Sequence, residues 1–412
     1  MTGAAALAVG NLTGAALGFL IAVLIGRATG AHGLGAYAAA LAWIFPFSLL
    51  VDAGLSAFIA REAAQRPQDT HALLRAAGSA RLSIGGLAAV LLVMAAPLLT
   101  TSSQAADALR LGAPLVMLNP WVSAYTAVFR ARRQMALAAG LNVGMLTVQA
   151  ALTVGLLAGG LGVQGAMLAN VLSSAGQWAV AALLYHRHSP PIAAAHYPLK
   201  PLLGAAWPFA LAGVLAAAQM RMGTALTELW AGAAAVGLYA AAYRFIEAGR
   251  LIPQAAFDAL LPTLTRDRSH PAVFAQHATR AGMFVAAYGI TVGLSSALLA
   301  QVVVPALFGA EFRPAGDLLS LMGWAILPMS LKYWAGVAWI ARGHEKHVTR
   351  QNAAALLIQA LVSAVLIPAY AASGAAWALL IGESAGALLM LTGNPTHLPK
   401  NRASMATGLP VD

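Results

Sequence analysis

Residues 4–26 read AAALAVGNLTGAALGFLIAVLIG, without one charged side chain. At 1.5 Å per residue a helix of this length reaches roughly 35 Å, enough to cross a hydrocarbon core about 30 Å thick. The stretch has no basic lead-in or clear cleavage site and is too long for the apolar part of a signal peptide, so it reads as a retained span. The rest of the chain is similar. Of 412 residues, 60% are hydrophobic and 9% charged, and the mean hydropathy is +0.75. A soluble domain carries about 25% charged residues, so polar side chains here are too few to cover a water-facing surface. Lipid is therefore the main solvent.

Apolar runs between polar or Gly/Pro breaks predict twelve spans, near 4–26, 34–59, 80–100, 108–129, 134–158, 163–185, 202–226, 236–262, 280–304, 316–340, 351–369 and 373–392. The connections are too short for a fused soluble domain. No GxxxxGK[ST] phosphate loop occurs, which argues against ATP hydrolysis. The chain has no cysteine, so disulfides and thiolate metal sites are excluded. The net charge of +11 is explained by topology. Connections after even-numbered spans, with the C-terminal tail, hold 17 Lys/Arg, counting Arg81 and Arg280 at the first turns of the spans that follow. Those after odd-numbered spans hold only Arg27 and Arg313, with Arg110 in the first turn of the fourth span. Cytoplasmic loops carry the basic excess, so both termini are expected in the cytoplasm, with anionic headgroups rather than nucleic acid as the partner of that charge.

The second half echoes the first. GAYAAA at 35–40 matches GLYAAA at 237–242, an offset of 202. GAMLA at 165–169 matches GAAWA at 374–378, and Arg132, Asn142 and Gln149 match Arg342, Asn352 and Gln359. Six spans per half is an even number, so both halves insert the same way, related by an axis along the membrane normal with a site between them. The expected fold is all-α and integral to the membrane, with about twelve helices in two pseudo-symmetric six-helix bundles around a central cavity. The expected divisions are a bundle at 1–185, a cytoplasmic linker at 186–201, a bundle at 202–392 and a cytoplasmic tail at 393–412.

Several motifs then point to a family. RATGAHGLGAY at 27–37, VDAGLS at 51–56 with Arg61 and Glu62, VGLYAAAYR at 236–244, LLP at 260–262, LFG at 307–309 and SGAA at 373–376 resemble bacterial polysaccharide flippases of the O-antigen type. These belong to the multidrug/oligosaccharidyl-lipid/polysaccharide exporter superfamily. The resemblance runs along nearly the whole chain, through short and degenerate motifs. It implies a flippase, not an enzyme, that moves a polyprenyl-diphosphate-linked oligosaccharide from the inner to the outer leaflet of the cytoplasmic membrane. The implied partners are that substrate, membrane lipids, and a polysaccharide polymerase and glycosyltransferases of the same process. Competing readings are an ion-coupled drug or metabolite antiporter of the same superfamily, or a membrane-embedded glycosyltransferase or polymerase.

Charges inside spans are the candidate site, because each costs about 2.5–3.5 kcal/mol at mid-bilayer unless paired or wet. They are Asp52, Arg221, Arg244, Glu247, Arg250, Asp258, Lys332 and Glu383. At 100° per residue, Arg244, Glu247, Arg250, Gln254 and Asp258 share one face of the eighth span, which is expected to face protein or a central cavity. Glu247 stands three residues from both Arg244 and Arg250, so intrahelical pairing is the bland reading of the same stripe. Arginine binds phosphate bidentately and keeps its charge, so Arg221, Arg244, Arg250 and Lys332 are the candidates for holding a diphosphate. Asp52, Glu247, Asp258 and Glu383 are the candidate coupling or ion-pair acids. Asn119, Trp121, Tyr125, Asn142, Gln149, Asn170, Gln177, Tyr243 and Gln359 could contact sugars, although each alone reads more simply as a helix-packing polar residue. The small-residue face Gly10, Gly14, Gly18, Ala22 and Gly26 permits close helix approach, either within the chain or between copies. No cofactor or metal is expected: His344-Glu345-Lys346-His347 is one residue short of the HExxH zinc spacing, and no catalytic motif is present.

Overall fold

A computed structural model describes residues 3–188 and 199–392. Its thirteen α-helices are α1 (Gly3–Asp52), α2 (Leu55–Gln65), α3 (Thr70–Leu99), α4 (Ser103–Gly112), α5 (Leu115–Ala131), α6 (Met135–Ala158), α7 (Gly162–His188), α8 (Leu199–Gly249), α9 (Leu251–Arg266), α10 (Pro271–Phe308), α11 (Arg313–Met322), α12 (Ile326–Ala341) and α13 (Glu345–Leu391), with no strand among the described residues. Seven helical segments are long and apolar enough to cross a membrane. Three of these break into two passes, at Gly30, Gly232 and Ala371. With α4–α5 and α11–α12 as one broken pass each, the total is the twelve expected from sequence. The outer surface is correspondingly apolar: Met94, Leu98, Leu298, Val302, Val365 and Leu388 are each more than two-thirds exposed. Such a surface is stable only against lipid.

The repeat seen in sequence becomes a reciprocal contact. Gly30 (φ 69°, ψ −174°) and Gly232 (φ 79°, ψ 173°) bend the chain identically, 202 residues apart. A positive φ of this kind is open to glycine at no steric cost. Just past each bend the two backbones touch. A Cβ on Gly35 would overlap the Ala233 carbonyl, and one on Gly237 would overlap the Ala31 carbonyl. Position i meets j while j's repeat partner meets i's, which is the signature of a local twofold. At this end of the molecule, where the odd-numbered connections lie, polar bonds also tie the halves. Arg27 donates to the carbonyls of Leu307 (2.6 Å) and Ala306 (2.5 Å) at the C-terminus of α10, and the Ala31 amide donates to Glu311 (3.0 Å).

Several boundaries differ from the sequence reading. The second pass does not run to 59 as one helix. It breaks at Ala53 (φ 47°) and Gly54 (φ 71°), so that Asp52 ends α1 and faces the start of α2. Pro46 lies inside α1 and Pro120 inside α5 without ending either helix. Pro253 does bend the eighth pass. It has no N–H for the Gly249 carbonyl, and the Tyr288 hydroxyl from α10 donates to that oxygen instead (2.7 Å). The glycine face of α1 packs within the chain: a Cβ on Gly10 would press on Ala139 of α6, and one on Gly26 on Phe308 of α10. The expected linker and tail fall mostly or wholly outside the described residues.

Candidate functional site

The charged stripe of the eighth pass faces protein: Arg244 lies near Tyr37 of α1, whereas Arg250 and Gln254 lie near Tyr333 of α12. The Arg221 guanidinium lies 5.3 Å from the centre of the Phe45 ring of α1. Phe245, next to Arg244, meets Phe19 edge-on at 4.9 Å. Tyr37, buried on α1, is within electrostatic reach of Arg221 and Arg244. Its hydroxyl is bonded by Gln149 (3.2 Å) and Asn170 (3.1 Å), so these two amides serve helix packing at this position.

Two of the eight candidate charges pair along the helix. Arg244 donates to Glu247 at 2.7 Å across one turn, with both side chains about a quarter exposed. Two more pair between helices. The Nζ of Lys332 on α12 lies 2.5 Å from the Oε2 of Glu383 on α13, and both side chains are under 10% exposed. A lysine this deeply buried would be costly alone, and Glu383 removes that cost. Gly386 lets the lysine stem lie flat on α13, since a Cβ there would press on it at 2.9 Å. Arg221 and Arg250 are left over. Neither has a carboxylate or hydrogen-bond partner among the described side chains, and the Nε of each is buried and unbonded. Glu247 feels both of them as well as Arg244, and Arg250 also feels Tyr243, Tyr333 and Glu383. The cluster thus holds four cations and two carboxylates. The Asp258 side chain lies outside the described ones.

Asp52 is not part of this cluster. It accepts from Arg81 of α3 (2.6 Å) and from the Ser56 hydroxyl (2.6 Å) and amide (3.3 Å), so it caps α2 and neutralises a fully buried arginine. Arg81, at the start of the third predicted span and counted with the loop before it, is therefore an interior group of α3. Glu228 was missed altogether. Placed beyond the seventh span in sequence, it is fully buried near the Gly232 bend, where it accepts from the Thr101 amide (3.1 Å) and hydroxyl (3.0 Å). Extending the span to the glycine that ends it would have brought Glu228 inside.

Among the described residues no group of three His, Asp or Glu is arranged to hold a metal ion. In the near-HExxH segment, the His347 ring packs 4.7 Å from Trp339. Burial, with Arg350 and His344 nearby, holds that imidazole below its ordinary range, and its Nε2 is buried without a partner.

An all-α membrane bundle, with a cation-rich cluster where its two repeats face each other, has the build of a transporter. The chain's sequence places it more closely. Residues 1–267 match the family model described as polysaccharide biosynthesis protein, and the chain belongs to that family. No curated protein sequence matches it. The fold is similar to that of the lipid II flippase MurJ in an inward closed conformation, with a TM-score of 0.79 and 14% identity over 93% of this chain and 86% of that one. It also resembles an inward-facing MATE family multidrug resistance transporter of the MOP superfamily (TM-score 0.70, 13% identity, 90% and 91% covered). A third similar structure is a MOP superfamily transporter from Pyrococcus furiosus, whose binding pocket is described as reversed in polarity (TM-score 0.65, 14% identity, 94% and 93% covered).

Proposed function

We propose that the protein is a flippase for a polyprenyl-diphosphate-linked oligosaccharide, and that Arg221 and Arg250 hold the diphosphate as it crosses. The carrying observation is the cation surplus. Once Arg244–Glu247 and Lys332–Glu383 are set aside as neutral pairs, two arginines remain, each with a buried unbonded Nε. Both side chains are half-buried, and a cation whose Nε is shut off from water without a partner is costly unless an anion compensates its charge. Two guanidinium forks match two linked phosphates, and both keep their charge whatever the local dielectric. Lys332, a candidate by sequence, is occupied by Glu383 and serves to position α12 against α13.

On this reading residues 1–185 and 202–392 are the two bundles that rock against each other, joined by a cytoplasmic linker at 186–201, with a tail at 393–412. Both termini lie in the cytoplasm, and the cargo enters from the inner leaflet of the cytoplasmic membrane. Glycosyltransferases supply the cargo and a polymerase consumes it. The protein itself makes no covalent change. The antiporter alternative draws on the same superfamily fold, but a cluster with surplus arginine disfavours the cationic compounds that many such exporters carry.

The test is surface polysaccharide and membrane protein level in cells carrying only Arg221→Gln, Arg250→Gln or both. Because Glu247 keeps Arg244 as its partner, neither change strands an acid. Normal protein level with polymer reduced roughly tenfold or more in each single variant is expected, from loss of a charge-assisted bond worth about 1.5–3 kcal/mol. Normal polymer in the double variant would remove both arginines from the mechanism.

A further inference from the structure

Away from the charged cluster, α3, α5 and α7 enclose a cleft of about 330 Å³. One face of α3 supplies His71, Arg75, Gly78 and Leu82, and α5 and α7 supply Trp121 and His186. These residues are graded in polarity along the helix. His71 and Arg75 stand in the first two turns of α3, beside His186 in the last turn of α7. Leu82, eleven residues on, is roughly 16 Å deeper. It is 61% exposed, and Leu87 beyond it 62%, on the apolar outer surface. The cleft therefore has a basic mouth and an apolar trough that opens sideways to hydrocarbon.

The trough is built, not incidental. A Cβ on Gly78 would lie 2.6 Å from the Trp121 ring edge, so a glycine here lets the indole approach α3 closely. Trp178 then braces that indole edge-on at 6.3 Å. At the mouth the His71 ring stacks on Tyr185 at 6.5 Å and meets His186 edge-on at 6.2 Å. Its Nδ1 is buried and has no hydrogen-bond partner. Arg75 is exposed and has no ion-pair partner among the described residues. No acid lines the cleft. A basic mouth above an apolar trough is complementary to a lipid with an anionic phosphate, and basic pockets between helices are known to take such headgroups.

We propose that this cleft is a binding site for an anionic phospholipid. The phosphate is held by Arg75 at the mouth, beside the His71 and His186 rings, and one acyl chain lies along Gly78, Leu82 and Trp121. The site is separate from Arg221 and Arg250, so it tethers a membrane lipid to the first half of the chain without occupying the path proposed for cargo. Its ligand chemistry, a phosphate on an apolar chain, is shared by polyprenyl phosphate, and the two sources are separable by measurement.

The experiment is native mass spectrometry of the full-length protein titrated with phosphatidylglycerol, phosphatidylcholine and polyprenyl phosphate. Wild type is expected to retain phosphatidylglycerol over phosphatidylcholine. His71→Ala with Arg75→Ala should weaken phosphatidylglycerol roughly tenfold, as expected for losing one charge-assisted contact, and leave phosphatidylcholine unchanged. Ser79→Trp, which fills the trough without removing a charge, should weaken it as well, with gel filtration confirming that each variant is folded. The Arg221→Gln, Arg250→Gln variant should bind phosphatidylglycerol like wild type, so failure here is distinguishable from failure of the flippase reading. Equal retention of the two phospholipids by wild type, or unchanged affinity in both cleft variants, would overturn the proposal. Preference for polyprenyl phosphate, lost in the cleft variants, would overturn the phospholipid assignment in favour of a cargo anchor.

Discussion

Lys332→Ala should unfold the protein more readily than almost any other single change in the charged cluster. The ammonium and the Glu383 carboxylate are 2.5 Å apart, with side chains 9% and 5% exposed, so solvent screening is slight. Removing one partner leaves a buried charge, at a cost of about 3–5 kcal/mol. Glu383→Gln should cost a similar amount for the same reason. Replacing both, as Lys332→Met with Glu383→Gln, removes the stranded charge and should recover most of that loss, since a buried pair exchanged for neutral groups is often close to neutral. The readout is thermal unfolding in detergent followed by intrinsic fluorescence, for which the chain's nine tryptophans suffice. Thiol-reactive dyes have nothing to report on, because there is no cysteine. The double variant should also keep exporting polysaccharide, because the pair is neutral and its loss leaves the surplus on Arg221 and Arg250 intact. A double variant destabilised by the sum of the two singles would refute the pairing. A stable double variant without export would refute the assignment of Lys332 to structure.

Three further outcomes follow from the geometry. Asp52→Asn strands the fully buried Arg81 and should cost about 3–5 kcal/mol, visible as loss of membrane protein, with recovery when Arg81→Met is added. Gly35→Ala or Gly237→Ala forces a methyl group into a backbone carbonyl and should cost at least the 1–3 kcal/mol of ordinary overpacking, whereas Gly18→Ala, with nothing within 4 Å, should leave unfolding unchanged. Tyr288→Phe leaves the Gly249 carbonyl without a donor and should cost about 1–3 kcal/mol; adding Pro253→Ala restores a backbone N–H, and the double variant should unfold later than Tyr288→Phe alone.

What was legible in the sequence was local or periodic. The stripe from Arg244 through Arg250 follows from helical spacing, and its Arg244–Glu247 pair lies one turn apart, where such pairs form without tertiary help. The offset of 202 between GAYAAA and GLYAAA marked the two positions that the fold brings together, because a repeat places like residues at like sites around a twofold. The twelve passes followed from apolar length. The pairs that decide which cations are free were not legible. Asp52 finds Arg81 across 29 residues, and Lys332 finds Glu383 across 51. Both depend on which faces of two passes meet, and no spacing rule encodes that. The break at Ala53 and Gly54 was hidden for a related reason. Alanine at positive φ is strained and gives no sequence signal, whereas the Gly30 and Gly232 bends sit on residues that take such angles freely. Glu228 was lost to a boundary set six residues short of the bend that ends its helix.

The central claim is that two arginines without a carboxylate partner among the described residues carry an anionic cargo across the bilayer. Its most direct test is translocation by purified protein in liposomes, comparing a fluorescent polyprenyl-diphosphate oligosaccharide with an analogue whose linkage is uncharged, for wild type and for Arg221→Gln with Arg250→Gln. The account predicts that wild type moves the diphosphate faster than the uncharged analogue, and that the double variant loses this preference through slower movement of the diphosphate alone. Equal rates for the two cargoes in wild type, or a preference for the diphosphate that survives in the double variant, would contradict it.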